Sequence, residues 1–191
     1  MSTFSEESRL LIGNWEAVTD ILQAHRRLQS ELVGIIRALE PQLAATDWWA
    51  NGWTITYQDQ GAVLANSKWR RGGTDPVMIW LYLFTPDAVF GEASPPVLCL
   101  YVVGKRGALL RDLLDQVRER GDGGGLVGEL DERTNNNYVA RQVVPRCLPE
   151  QLDDYTREVS DQILTFFSHY GRLLDELTPM IERHLNAEKD A

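Results

Sequence analysis

Two hydrophobic periods divide the chain. From about Ser5 to Leu39, apolar residues return at steps of three and four: Val18, Ile21, Leu28, Leu32, Ile35 and Leu39. His25 falls in the same seam, and Leu11, Trp15, Leu22 and Ile36 widen it. That spacing lays one apolar stripe along an α-helix. Ser5 is a suitable cap, Glu6 and Glu7 suit the positive end of the helix dipole, and Pro41 marks the end. A second long helix is predicted from about Pro149 to Asn186. Its stripe is Leu152, Tyr155, Val159, Ile163, Phe166, Tyr170, Leu173 and Leu177, flanked by Phe167, Leu174 and Ile181. A stripe this wide needs two packing neighbours. Pro179, after Thr178, is expected to kink or restart that helix.

Between the helices, over about 53–144, the period becomes two. Trp53, Ile55 and Tyr57 alternate with Thr54 and Thr56, as in a half-buried strand. "QDQG" at 58–61 reads as a turn and "AVLANSKW" at 62–69 as the returning strand. "RRGGTDP" at 70–76 is a loop. "VMIWLYLF" at 77–84 and "PVLCLYVV" at 96–103 are nearly unbroken apolar runs, which places them centrally in a sheet, covered on both faces. Leu110, Leu113, Leu114 and Val117 mark a short helix that Gly121 stops. A polar, glycine-rich loop (121–137) leads to a fifth strand, "YVARQVV" at 138–144. The order α-β-β-β-β-α-β-α implies an α+β fold. Its mainly antiparallel five-stranded sheet is flanked by two long terminal helices and one short helix. No internal repeat or linker divides residues 1–191, so a single domain is expected. The two long helices are expected to cover one sheet face or to project as an antiparallel pair.

Charge narrows the partners. The chain carries 28 acidic and 19 basic side chains, a net charge of -9. Such a field repels polyanions, so nucleic acid and anionic membranes are disfavoured. No apolar run nears the about 18 residues that span a bilayer. The N-terminus lacks the features of a signal peptide, and two isolated cysteines, Cys99 and Cys147, form no disulfide framework or metal motif. A cytoplasmic setting with no cofactor is expected.

Chemical motifs are sparse. "GDGGGLVG" (121–128) lacks the ending of a phosphate loop and follows a helix. Asp122, Glu129, Asp131 and Glu132 lack the calcium-loop spacing. His25, His169 and His184 do not pair at four-residue spacing, and a polar residue in the seam at His25 would set helix register. The order α-β-β-β-α-β within the chain resembles the core of the PD-(D/E)xK nucleases. That resemblance would imply a metal held by carboxylates on adjacent strands. Yet "VMIWLYLF" and "PVLCLYVV" supply neither carboxylate nor lysine. The element order is also similar to that of small acidic secretion chaperones, by architecture alone.

Two stretches suggest a surface for a partner. In "DWWANGWTITYQ" (47–58), Trp53 should share a buried face with Ile55 and Tyr57. Trp48 and Trp49, as neighbours in an extended segment, would point oppositely, one covering the helix end and one left for a partner. In "KWRR", Lys68, Arg70 and Arg71 flank Trp69, which suits a carboxylate-rich or phosphate-bearing ligand as well as a protected sheet edge. The partner-binding set is therefore Trp48, Trp49, Lys68, Trp69, Arg70 and Arg71. The function expected is a non-enzymatic protein-interaction module, adaptor or chaperone-like. It would form a homodimer through its long helices and recognise an extended or acidic polypeptide. The alternative is a metal-dependent or nucleic-acid-processing enzyme, a degenerate nuclease-like fold, with Asp75, Asp87, Glu92 and Asp131 as its only candidate carboxylates.

Overall fold

The computed structural model describes residues 4–70, 77–102, 112–114, 116, 129–130 and 138–187. Most of the 70–76 loop and of the 121–137 loop lies outside the described residues, as do Asp75, Arg71 and Asp131.

The first helical segment is two elements. Helix α1 spans Glu6–Gly13, capped by the Ser5 side chain, which accepts from the Ser8 amide. Helix α2 spans Trp15–Ala44. Gly13 and Asn14, both weak helix formers, separate them. The Asn14 side chain donates back to the Leu10 carbonyl at 2.9 Å, closing the first helix. Pro41 does not end α2, which runs three residues further. The Ala45 amide then bonds Pro41 O, and the Thr46 hydroxyl donates to Leu43 O at 2.6 Å.

The sheet contains the five predicted strands: β1 (Trp53–Gln58), β2 (Gly61–Asn66), β3 (Val77–Tyr82), β4 (Val97–Val102) and β6 (Tyr138–Val143). A two-residue strand, β5 (Glu129–Leu130), is added at the edge. Their order is β1-β2-β3-β4-β6-β5, and every pairing is antiparallel. The two apolar runs, β3 and β4, are central, as their composition demands. The β1–β2 turn needs glycine at its end. Gly61 has φ +142°, and a Cβ there would lie 2.0 Å from the Leu81 carbonyl oxygen of β3. Helix α3 (Pro86–Val89) follows β3, a helical turn holds Leu113 and Leu114, and helix α4 (Leu152–Ala187) closes the chain. Pro179 neither ends nor restarts α4.

Alternation sorts the strands into two faces. Leu64, Ile79, Leu81, Leu98, Leu100 and Ala140 point to the long helices and are buried in one cluster with Leu32, Ile36, Leu39 and Leu43 of α2 and with Val159, Ile163, Phe166 and Tyr170 of α4. The opposite face carries Val63, Cys99 and a row of rings. Trp80 lies 4.7 Å from Tyr82 and 5.6 Å from Tyr101, and Tyr101 lies 5.3 Å from Tyr138.

Both long helices cover the same face and climb it in the same direction. Helix α2 passes Phe84, where Gln29 Nε2 donates to the carbonyl oxygen, and ends beside Trp48 and Trp53. Helix α4 passes Val143, whose carbonyl accepts from Gln162, and reaches Trp48 at Gly171. The pair is thus packed on the sheet and does not project from it. Among the described residues, no helix is long and apolar enough to cross a membrane.

Leu32 is 3% exposed, the first residue of α2 to be buried. Replacing it with Glu puts a charge into the helix–sheet seam at a cost of about 3 kcal/mol. The Leu32→Glu protein should melt about 10 °C lower by circular dichroism. An unchanged melting temperature would contradict the packing described.

Candidate interaction surfaces

The predicted aromatic site is largely a core corner. The stretch after α2 is not extended. Trp48 sits in helical backbone at φ -71°, ψ -25°, and Trp49–Asn51 form a 3-10 turn. Gly52, at φ +103°, then swings the chain into β1. In this geometry Trp48 and Trp49 do not point oppositely, and their centroids are 5.8 Å apart. Trp48 meets Trp53 edge-on at 5.3 Å, and Trp53 meets Trp69 edge-on at 5.2 Å. Such T-shaped pairs place a ring's positive edge on its neighbour's negative face.

Trp48 is 4% exposed and Trp69 is fully buried, so neither offers its ring to a partner. Trp69 turns inward because β2 stops at Asn66 and a 3-10 turn, Ser67–Trp69, replaces the predicted strand. Asn66 drives this change. Its buried side chain accepts from the Lys68 amide at 3.0 Å and donates to the Asn51 carbonyl at 3.3 Å. The same turn leaves Lys68 and Arg70 on the outside. Of the predicted surface, Trp49 (half-buried), Lys68 and Arg70 are accessible, and Arg71 lies outside the described residues.

Polar contacts tie the corner to both helices. Asp175 of α4 accepts from Asn51 Nδ2 at 2.8 Å and from Trp53 Nε1 at 3.4 Å. A cavity of about 410 Å³ beside them is lined by Thr46, Asp47, Trp48, Arg172, Asp175 and Glu176 among others. Across β1, the Tyr57 hydroxyl donates to Glu40, and the Arg37 guanidinium lies 5.1 Å above the Tyr57 ring. Burial, then the bond to Glu40, raises the Tyr57 pKa well above the phenol range, so this contact is a neutral phenol held by a carboxylate.

Burial pushes the Cys99 thiol up to about 12, and Cys147 is raised for the same reason, so both are poor nucleophiles. Burial, assisted by Arg172, lowers the His169 pKa and keeps that ring neutral. His25 is not in a buried seam. It is half-exposed, with Nε2 3.8 Å from Asp87 Oδ1. Among the described residues, no three of His, Cys, Asp and Glu converge on a point that could hold a metal. Asp87 and Glu92 are both exposed.

The apolar pattern implies more helix surface than the sheet covers but not its place, which is an exposed N-terminal arm. Helix α1 contains no buried residue, and α2 contains none before Leu32. Leu10, Leu11, Ile12, Trp15, Ile21 and Leu22 are each half to two-thirds exposed, with Trp15 at 65% and Ile21 at 67%. Val18, Ile21 and Leu22 continue the stripe that Leu32, Ile36, Leu39 and Leu43 bury lower down. The last body contacts of that stripe are His25 with Asp87 and Gln29 with Phe84. No family model matches the chain, and searches of curated proteins and of solved structures give no match.

Gly171 lets Trp48 reach α4: a Cβ there would lie 2.6 Å from the indole ring. Gly171→Ala gains about 1 kcal/mol in helix propensity but overpacks the corner by ~2–3 kcal/mol. Urea denaturation followed by tryptophan fluorescence should show net destabilisation. A net gain in stability would mean that the corner is not closely packed.

Proposed function

We propose that this chain is a protein-interaction module that self-associates through its N-terminal arm, residues 4–24. One observation carries the reading: six large apolar side chains stand exposed on α1 and the start of α2, where Ile21 and Leu22 continue a stripe that is buried further along the same helix. Exposed apolar patches of this size on a folded protein mark an interaction site. Closed two-fold assembly is the commonest way for a chain to cover such a surface with itself. The arm is separate from the core, so its coverage and the fold are separable.

Light scattering after size exclusion should give twice the 21.7 kDa of one chain. The double variant Trp15→Glu, Ile21→Glu should give a single-chain mass with an unchanged melting temperature, because neither side chain belongs to the core. A wild-type mass of one chain at on the order of 100 µM, weaker than any ordinary specific pair, would overturn the reading.

The enzymatic alternative is separable by metal. Adding Mg²⁺, Mn²⁺ or Ca²⁺ should leave the melting temperature unchanged. A rise that Asp75→Ala abolishes would favour a metal-dependent enzyme instead, since a ligand that binds only the folded state stabilises it.

A further inference from the structure

We infer that the arm of one copy seats on a second apolar patch of its partner, formed by Leu148 and Leu152 at the start of α4, and that two such contacts about a two-fold axis close the dimer. The inference rests on self-association through the arm and adds the surface that receives it.

Among the described residues, large apolar side chains are exposed in only two regions. One is the N-terminal segment with the arm, and the other is 143–152, where Val143 is on the ring side of the sheet and Leu148, 51% exposed, belongs to the patch. Both lie at the same end of the molecule. Antiparallel pairing puts the ends of β1, β3 and β6 together with the starts of β2 and β4. Phe84, where α2 leaves the sheet, and Val143, where α4 arrives, are at that end. The Cys147 amide bonds Val89 O of α3, and α3 is also where His25 of α2 makes its last contact. The patch therefore flanks the base of the arm.

A chain cannot cover its own patch with its own arm. Helix α2 is continuous from Trp15 through Leu32, so residues 15–25 extend about 15 Å straight past the body. A second copy approaching that end from the opposite direction brings its arm along the patch and offers its patch in return, as an isologous contact requires. The area suffices. The six exposed arm side chains present on the order of 700 Å², close to the ~800 Å² that one partner contributes to a standard interface.

Charge orients the contact. The first turns of the arm carry Glu6, Glu7, Glu16 and Asp20 against Arg9. The patch is bordered by Arg146, which is exposed and held in place by donating to the Glu92 and Ala93 carbonyls. Glu150 and Asp154 border the other side, where Asp154 is already paired with Arg157 at 2.7 Å. The acidic start of one arm is thus placed toward Arg146 of the other copy.

Site-specific cross-linking tests the pairing. An Ile12→Cys chain and a differently tagged Leu148→Cys chain are mixed and oxidised, the native Cys99 and Cys147 being buried. Mixed-tag disulfide dimers should form at least tenfold more than with Glu176→Cys, which sits at the opposite end, replacing Leu148→Cys. In parallel, Leu148→Glu should weaken the wild-type dimer at least tenfold by sedimentation while leaving the melting temperature unchanged. A protein that stays dimeric but links Ile12→Cys only to Ile12→Cys, with Leu148→Glu harmless, overturns the arm-to-patch contact and leaves self-association standing. A wild-type protein that sediments as one chain overturns both.

Discussion

The height of the sheet governs this structure. Its main strands are six residues long, about 20 Å from end to end, whereas α2 has 30 residues, about 45 Å. A helix of this length buries its stripe only where other elements extend the cover, as they do for α4 from Tyr155 to Ile181; α2 has no such cover before Leu32. Something must overhang, and where it overhangs depends on which end is pinned. The pin is at the C-terminal end. Trp48 is locked against Gly171, Trp53 meets both Trp48 and Trp69, and Asp175 holds Asn51 and Trp53 from α4. Glu40 and Arg37 fasten the next turns to Tyr57. All the surplus length is therefore expelled at the N-terminal end, beyond α3.

The tryptophan corner has a structural task that differs from its appearance in sequence. Three indoles packed edge-to-face fill the angle between the end of α2, the start of β1 and the middle of α4. Glycines at 52 and 171 make the approach feasible, one by backbone conformation and the other by leaving room for a ring. The corner fixes the direction of the helix, and the direction of the helix determines which apolar residues are left uncovered. The surface proposed for self-association is thus a consequence of core packing at the other end of the same helix.

Much of the architecture was legible in the residues. Alternation at Trp53, Ile55 and Tyr57, the two unbroken apolar runs and the wide stripe of α4 correctly gave the α+β class, the five main strands and the central place of β3 and β4. Errors arose where a local polar contact competes with a repeating pattern. Asn66 captures the Lys68 amide, ends β2 early and turns Trp69 inward. Asn14 caps α1 and breaks a helix whose stripe reads as continuous. Trp48 and Trp49 read as pointing oppositely because alternation applies to extended backbone, whereas Trp48 is helical. The place of the surplus apolar surface was not legible for a different reason. Periodicity reveals which side of a helix is apolar, but not whether anything lies against it; that depends on the length of the neighbouring strands. Only the mismatch between a predicted helix of some 35 residues and strands of six to eight could have signalled it.

The account stands or falls on whether residues 15–24 are covered by another copy of the chain. Amide hydrogen exchange measured by mass spectrometry at high micromolar and at low nanomolar concentration reads this directly. Coverage by a second chain predicts exchange across Trp15–Ala24 that is slow in the concentrated sample and at least tenfold faster in the dilute one, while the core amides of Leu32–Leu43 stay equally protected in both. Exchange across Trp15–Ala24 that is equally fast at both concentrations would contradict it.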